Sequence, residues 1–144
     1  MHTKIFNSAQ DLKSLEKALN QYDLIFDCST DNDLMYILGQ LSLKQLITMS
    51  ITNNAQALVC GAESNHYTWV MNQYENVLGN DIEDTYNPTG CWSPTFKASY
   101  NDISVLVQYA LKHINVKLGQ VNELRNFVIE TDGTNGFHTK LVEF

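Results

Sequence analysis

A short polar segment follows an apolar run near the start of the chain, in "DLIFDCSTDN" at residues 23–32. The residues after the apolar centre can bind metal ions or cap helices: Cys28, Ser29, Thr30, Asp31 and Asn32. Ligands gather at the carboxyl ends of strands in open α/β sheets, so Asp31 stands where a bound ligand could contact it. The same carboxylate could instead be the N-cap of the next helix. Both interpretations stay open, whereas Asp27 is expected to be satisfied by backbone amides at the strand end.

A second reactive candidate is Cys91, in "GCWSPTF" within an irregular region at residues 81–100. Nearby amides or the N-terminus of the following helix could lower the pKa of its thiol and favour a nucleophilic thiolate. The alternative is a small buried thiol packed among Trp92, Pro94 and Phe96. Cys28 and Cys60 are expected in the core, and the four histidines form no metal-binding pattern.

Composition places limits on the partners and the compartment. The chain has 144 residues, enough for one domain with a real core, and 44% of them are hydrophobic. Its 9 basic and 16 acidic residues make a net charge of −7, which argues against nucleic acid or an anionic membrane as the main partner. No transmembrane segment or secretion signal is recognisable. Three widely separated cysteines indicate reduced thiols in a cytoplasm and exclude a zinc site made of two Cys-x-x-Cys pairs.

Apolar spacing predicts the secondary-structure elements. Helices are expected at residues 8–22, from about 31 to 41, at 65–78 and at about 101–118. An early strand is expected around "DLIFDC", where the continuous apolar centre suits a strand covered on both faces. Two further strand pairs are expected, "QLITMSITNNAQALVCG" and "NFVIETDGTNGFHTKLVEF". We therefore predict an α/β fold with a mixed sheet, in a single domain of residues 1–144.

Several of these segments, in this order, resemble the ThiF/MoeB/HesA-type adenylyltransferases, bacterial relatives of the ubiquitin-activating enzymes. "YDLIFDCSTDN" is similar to the family's strand and turn D-L-V-x-D-x-T-D-N. "QLITMSITNNAQALVCG" resembles the strand pair that follows it, and "GCWSPTF" resembles the family's Gly-Cys-x-x-Pro-Thr-Phe segment before a long helix. The closing segment resembles its terminal antiparallel strands. The resemblance extends from about Ala9 onward and corresponds to the latter half of a family domain.

This resemblance implies a Rossmann-like three-layer domain with a mixed sheet. In the family, ATP with magnesium adenylates the C-terminal carboxylate of a ubiquitin-like or sulfur-carrier protein. It implies that Asp31 organises magnesium, that Thr30 and Asn32 belong to the same nucleotide site, and that Cys91 can accept the acyl group. It also implies a homodimer, or pairing with another ThiF-like chain.

The sequence departs from the family in the nucleotide-binding elements. No G-x-G-x-x-G segment occurs, and Tyr36 stands near the place of an expected Arg. We therefore expect that the Gly-rich half is absent from this polypeptide, and that the chain alone neither binds ATP tightly nor adenylates a substrate. The alternative is a non-catalytic module that pairs with an active subunit. A fragment of a Rossmann-type oxidoreductase or methyltransferase is a weaker alternative, because it does not explain "GCWSPTF".

Overall fold

The computed structural model describes residues 9–51, 55–78, 100–119, 124–131 and 138–144. Within these ranges the chain forms four helices and a five-stranded mixed sheet, an α/β architecture. The elements in chain order are α1 (Ala9–Leu19), β1 (Ile25–Asp27), α2 (Asn32–Gly39), β2 (Leu46–Ile51), β3 (Ala57–Gly61), α3 (Tyr67–Leu78), α4 (Tyr100–Leu118), β4 (Phe127–Thr131) and β5 (Thr139–Glu143).

The strands lie in the sheet in the same order as in the sequence. β1 and β2 are parallel, with Asp27 beside Thr48, and α2 connects them. The remaining neighbours are antiparallel, so the predicted pairs β2–β3 and β4–β5 are confirmed. Because β1 and β2 are parallel, the carboxyl ends of both strands lie on one side of the sheet, which we call its carboxyl edge. β3 is antiparallel to β2, so it ends on the opposite side, the amino edge, where β1 and β2 begin.

Helices pack on both faces of the sheet. On one face, the buried residues of α4 (Leu106, Ala110 and Ile114) contact apolar residues of β2, β3 and β4. On the other face, Met35 of α2 and Val70 of α3 contact Val59 and Val128. Residues of β3 and β4 alternate between these two clusters, as the two-residue periodicity of a strand requires.

The position of β1 differs from the sequence-based prediction. Its apolar centre predicts a strand covered on both faces, but Phe26 is 40% exposed, so one face is only partly covered; β1 is also the edge strand of the described sheet. Ile25 is only partly buried, and Asp27 is the buried residue of this strand. An apolar run indicates a strand, whereas its place in the sheet depends on partners far away in the sequence.

The predicted lengths of the helices are largely confirmed. α3 and α4 match the apolar spacing closely, and α1 ends at Leu19, three residues earlier than predicted. None of the helices described is long and apolar enough to cross a bilayer. Cys91 and the rest of the predicted irregular region before Tyr100 lie outside the described residues.

Candidate functional site

The turn after β1 is held by hydrogen bonds between neighbouring residues. A carboxylate oxygen of the buried Asp27 accepts bonds from the backbone N–H of Ser29 at 3.0 Å and from its hydroxyl at 2.7 Å. The Ser29 hydroxyl oxygen also accepts the backbone N–H of Asp31 at 3.2 Å. Asp27 is therefore satisfied at the strand end, partly by a backbone amide as expected and partly by a side chain.

Asp31 is the N-cap of α2. Its Oδ1 accepts hydrogen bonds from the backbone N–H groups of Asp33 and Leu34, both at 3.0 Å. Its backbone carbonyl accepts the N–H of Met35 at 2.9 Å, the first bond of the helix. This arrangement satisfies N–H groups that have no partner inside the helix. Oδ2 of the same exposed carboxylate has no partner among the described residues.

Thr30 has an unusual backbone conformation. Its φ of 57° lies in the left-handed region, which a β-branched residue rarely adopts. The Thr30 hydroxyl donates to the carbonyl of Ser29 at 2.6 Å. Residues Cys28 to Asp33 are all exposed, so no apolar side chain of this turn closes the carboxyl edge beside Asp31.

The described side chains of the turn after β1 can supply one ligand of a metal site but not a complete set. Among the described residues, no group of three or more His, Cys, Asp or Glu side chains is placed to hold a metal ion. The described side chains at this edge therefore do not form a complete set of metal ligands by themselves. Magnesium typically takes one or two carboxylates and completes its shell with phosphates and water, a requirement that the exposed Asp31 can meet.

The other sequence-based predictions for this region have mixed outcomes. Cys28 was expected in the core, but it is exposed, because the chain leaves the sheet at Asp27 and turns into solvent. Cys60 is fully buried, as predicted, and burial raises the pKa of its thiol. Tyr36 is 52% exposed, and its ring packs edge-on against Tyr67 at 5.3 Å between centroids.

A second polar group, which the sequence analysis missed, lies buried between β2 and α3. Thr48 and Ser50 are on the face of β2 that α3 covers, and both are buried. The Thr48 hydroxyl is 2.8 Å from Nε2 of His66, and the hydroxyls of Ser50 and Tyr74 hydrogen-bond to each other. We call these four residues the buried polar row. The one signal in the sequence is the alternation of Thr and Ser within the apolar strand "LITMSI".

The contacts of His66 determine its protonation. Nδ1 lies 2.8 Å from the carbonyl oxygen of Glu63, an acceptor, so Nδ1 carries the proton. Nε2 of the neutral ring then accepts the hydroxyl of Thr48. Burial lowers the pKa of His66, although the Glu63 carbonyl and the charge of Asp27 oppose this effect. Because both ring nitrogens are engaged, His66 has no free nitrogen to act as a general base.

The turn that presents His66 is packed tightly against the sheet. Asn126 is buried before β4, and its Oδ1 accepts the N–H groups of Ala62 and Glu63 at 2.8 and 3.0 Å. At Gly61, a Cβ atom would lie 2.5 Å from Cδ2 of His66 and 2.7 Å from a methyl of Val70. The absence of a side chain at Gly61 therefore allows the His66 ring to lie directly on β3.

A cavity of about 270 Å³ lies at the amino edge of β1 and β2, opposite the turn of Asp31. It is lined by residues 38–39, 41–46 and 62–66. Lys44 forms an exposed ion pair with Asp23 at 2.7 Å, and Gln45 donates to the carbonyl of Ala62 at 2.9 Å. Thr30, Asp31 and Asn32, the predicted site residues that the structure describes, do not line this cavity, so the structure separates it from the turn of Asp31.

Two comparisons of the sequence, with protein families and with curated proteins, identify no relative. No protein-family model matches the chain, and no curated protein is significantly similar to it in sequence. Function is therefore inferred from the geometry above and from the resemblance of the motifs.

Proposed function

We propose that this chain is the C-terminal portion of a ThiF-like adenylyltransferase, which uses ATP to activate the C-terminal carboxylate of a ubiquitin-like or sulfur-carrier protein. The order of the elements supports the proposal. The D-L-V-x-D-x-T-D-N-like segment forms β1 and its turn, and the following apolar pair forms the antiparallel strands β2 and β3. The helix after "GCWSPTF" and the closing antiparallel strands are α4, β4 and β5.

The observation that supports this function best is the open edge beside β1. In the described sheet β1 pairs only with β2, and the pairing is parallel. Parallel strands are usually covered by neighbours and helices, and an exposed edge is a ready site for a further strand. Phe26 is 40% exposed at this edge. A nucleotide-binding half that adds a strand outside β1 would extend the sheet at this edge, and the helices that accompany such a strand would cover Phe26.

In this proposal the turn after β1 contributes one metal ligand and a fixed backbone. Magnesium bound to ATP neutralises charge on the phosphates. Asp31 would hold that ion through Oδ2 while Oδ1 continues to cap α2. Thr30 and Asn32 flank the carboxylate, and the left-handed backbone at Thr30 agrees with the tendency of strained residues to cluster at functional sites. The turn contains no basic residue, so the cations that contact the phosphates must come from the other half.

The decisive experiment joins a Gly-rich half of a ThiF-type enzyme ahead of Ala9 and measures ATP–pyrophosphate exchange with a ubiquitin-like protein. We expect magnesium-dependent exchange that Asp31→Asn lowers by about 100-fold or more. Asn caps helices as well as Asp does, but it removes the charge that binds the metal. The effect on exchange is therefore separated from the effect on the stability of α2.

Asp33→Asn is the matched control, because Asp33 is an exposed carboxylate in the first turn of the same helix. It should leave exchange within about threefold, less than 1 kcal/mol at 1.4 kcal/mol per tenfold change. If Asp31→Asn retains full exchange, Asp31 has no role in the reaction. If the joined protein shows no exchange at all, the adenylyltransferase proposal fails.

The second candidate is a non-catalytic ThiF-like module that pairs with an active subunit. The open edge of β1 supports it equally, because a strand from that subunit could occupy the same position. The two candidates differ in their dependence on Asp31. A non-catalytic module would bind its partner with the same affinity after Asp31→Asn. ATP–pyrophosphate exchange by the complex would not depend on Asp31.

A further inference from the structure

The cavity at the amino edge of β1 and β2 combines apolar and polar lining residues. Leu41, Leu43 and Leu46 line it and are only partly buried, so they leave apolar surface that a ligand could cover. The polar lining comes mainly from the turn between β3 and α3, residues 63–66. Ligand pockets usually have volumes of roughly 300–1,000 Å³. With about 270 Å³, this cavity can hold only a small molecule.

Two lining residues each have a side-chain oxygen that can still accept a hydrogen bond. Gln45 donates its side-chain amide to the carbonyl of Ala62 at 2.9 Å, and its Oε1 has no partner among the described residues. Glu63, the residue after Ala62, accepts the side-chain amide of Asn126 through Oε2 at 3.2 Å. Its Oε1 likewise has no partner in the ranges that the structure describes. The bonds to Ala62 and Asn126 hold both side chains in place.

The charges at this cavity favour a cation. Lys44 is the only Lys or Arg among the described lining residues, and its ammonium group forms an ion pair with Asp23 at 2.7 Å. Glu63 has no ion pair within the described ranges. α2 ends and α3 begins beside the cavity, so the opposite partial charges of the two helix ends offset each other. The net charge of −7 also attracts cations to the molecule.

We propose that this cavity binds a small primary alkylamine. Its ammonium group would bind the free oxygens of Glu63 and Gln45, and its aliphatic chain would cover the partly buried leucines. An ammonium group has three donors and no acceptor, so it suits a site with two free acceptor oxygens. The negative balance at Glu63 and the apolar lining together select a ligand that is cationic at one end and apolar along its chain.

The same contacts disfavour two related classes of ligand. A guanidinium group pairs best with both oxygens of one carboxylate, but Oε2 of Glu63 is already bonded to Asn126. A ligand that carries a carboxylate, such as an amino acid, would find no free cation, since Lys44 is paired with Asp23. The site should therefore prefer a simple amine to a guanidine and to an amino acid.

This inference does not rest on the adenylation proposal, because the cavity lies at the opposite edge from Asp31, and either can fail alone. The 144-residue chain, labelled with ¹⁵N, would be titrated with n-pentylamine at pH 7 and followed by NMR. Salt at about 0.15 M would screen nonspecific attraction to the acidic surface. We expect the amide signals of residues 43–46 and 62–66 to shift with a dissociation constant on the order of 1 mM. The signals of Asp31 and Asp33 should not move.

Three further ligands test which group is recognised. 1-Pentanol keeps the chain without the charge, pentylguanidine replaces the ammonium group with a planar fork, and 6-aminohexanoate adds a carboxylate. Each should bind at least about fivefold more weakly than n-pentylamine, a difference of about 1 kcal/mol at 1.4 kcal/mol per tenfold.

Glu63→Gln tests the carboxylate itself. Glutamine keeps a carbonyl oxygen that can accept the amide of Asn126 but removes the charge, so the dissociation constant should rise at least about fivefold. Glu75→Gln is the matched control, because Glu75 is an exposed carboxylate on α3 that does not line the cavity. It should change the constant less than twofold. Thermal unfolding shows whether both variants are folded, and if Glu63→Gln is not, the ligand comparison on the unaltered chain decides the question.

Any of three results would overturn the proposal. The first is that n-pentylamine at about 20 mM leaves the signals of residues 43–46 and 62–66 unshifted, or shifts signals over the whole acidic surface alike. The second is that 1-pentanol or pentylguanidine binds as tightly as the amine. The third is a folded Glu63→Gln variant with unchanged affinity.

Discussion

Polar side chains concentrate in two regions of this molecule that differ in exposure and in the range of their hydrogen bonds. In the turn after β1, the side chains of Asp27, Ser29 and Asp31 bond to groups no more than three residues away. In the buried polar row, Thr48 bonds to His66 over 18 residues, and Ser50 bonds to Tyr74 over 24. The first set of bonds shapes one exposed turn and starts one helix. The second set fixes how α3 lies on the sheet.

This difference implies different consequences of mutation. A broken N-cap bond of Asp31 is replaced by water, because residues Cys28 to Asp33 are exposed, although Asp27 at the start of the turn is buried. A broken bond in the row leaves a buried polar group without a partner, and that group keeps its full cost of desolvation. The row should therefore matter mainly for stability, whereas the turn is free to take part in binding.

The largest effect is expected for His66→Ala. The substitution leaves a cavity beneath α3 and removes the partner of the buried Thr48 hydroxyl, so the free energy of unfolding should fall by about 3 kcal/mol. Urea denaturation measures this loss. Ser64→Ala, an exposed change in the same turn, should stay within about 0.5 kcal/mol.

A double-mutant cycle tests whether the bond itself is responsible. Thr48→Val and His66→Leu should show a coupling of about 1 kcal/mol, since each single change leaves the other group unpaired. Additive effects would mean that the loss in His66→Ala arises from the cavity alone.

A smaller effect is expected from pH. The pKa of His66 is lowered in the folded chain by burial, so the unfolded chain takes up its proton first as the pH falls. Stability from the neutral ring is complete above an unfolded pKa of about 6.5, and it declines as the pH drops from there towards the lowered folded pKa. One group sets a limit of about 1.4 kcal/mol per pH unit.

Urea midpoints between pH 7.5 and pH 5 would show this decline, and the comparison with His66→Gln isolates the contribution of the one imidazole. The slope in this window should be smaller in His66→Gln. Equal slopes in the two proteins would mean that burial does not shift the proton affinity of His66.

The smallest effect is expected in the turn. Asp31→Ala removes the cap of α2 and should lower stability by about 1 kcal/mol, whereas Asp31→Asn should change it by only a few tenths. Thermal unfolding of the three proteins measures the difference. Equal losses for Ala and Asn would show that the negative charge, rather than the hydrogen-bonding oxygen, stabilises the helix.

Much of the fold could be predicted from the sequence, because periodicity is a local property. Spacing alone predicts the buried stripe of α4 and the apolar runs of β2 and β3, and the N-cap at Asp31 is one of the two interpretations that the sequence allows. The edge position of β1 could not be predicted, because an apolar run indicates a strand without specifying its neighbours.

The buried polar row could not be predicted either, because its partners lie far apart in the sequence. His66 stands isolated in the sequence, and its partner Thr48 is separated from it by a strand and a turn. Only the alternating Thr48 and Ser50 hinted that one face of β2 meets polar groups. The prediction that Cys28 is buried is wrong for a local reason. Whether a cysteine near the end of a strand is buried or exposed depends on the exact residue at which the strand ends.

The close packing at Gly61 has a consequence for how this sequence can change over time. Even the smallest added side chain would meet both the ring of His66 and a methyl group of Val70, so position 61 accepts a new residue only if both neighbours shift or are altered. In a library of single variants, position 61 should be among the least tolerant. A replacement of Gly61 should therefore be found only together with changes at His66 and Val70.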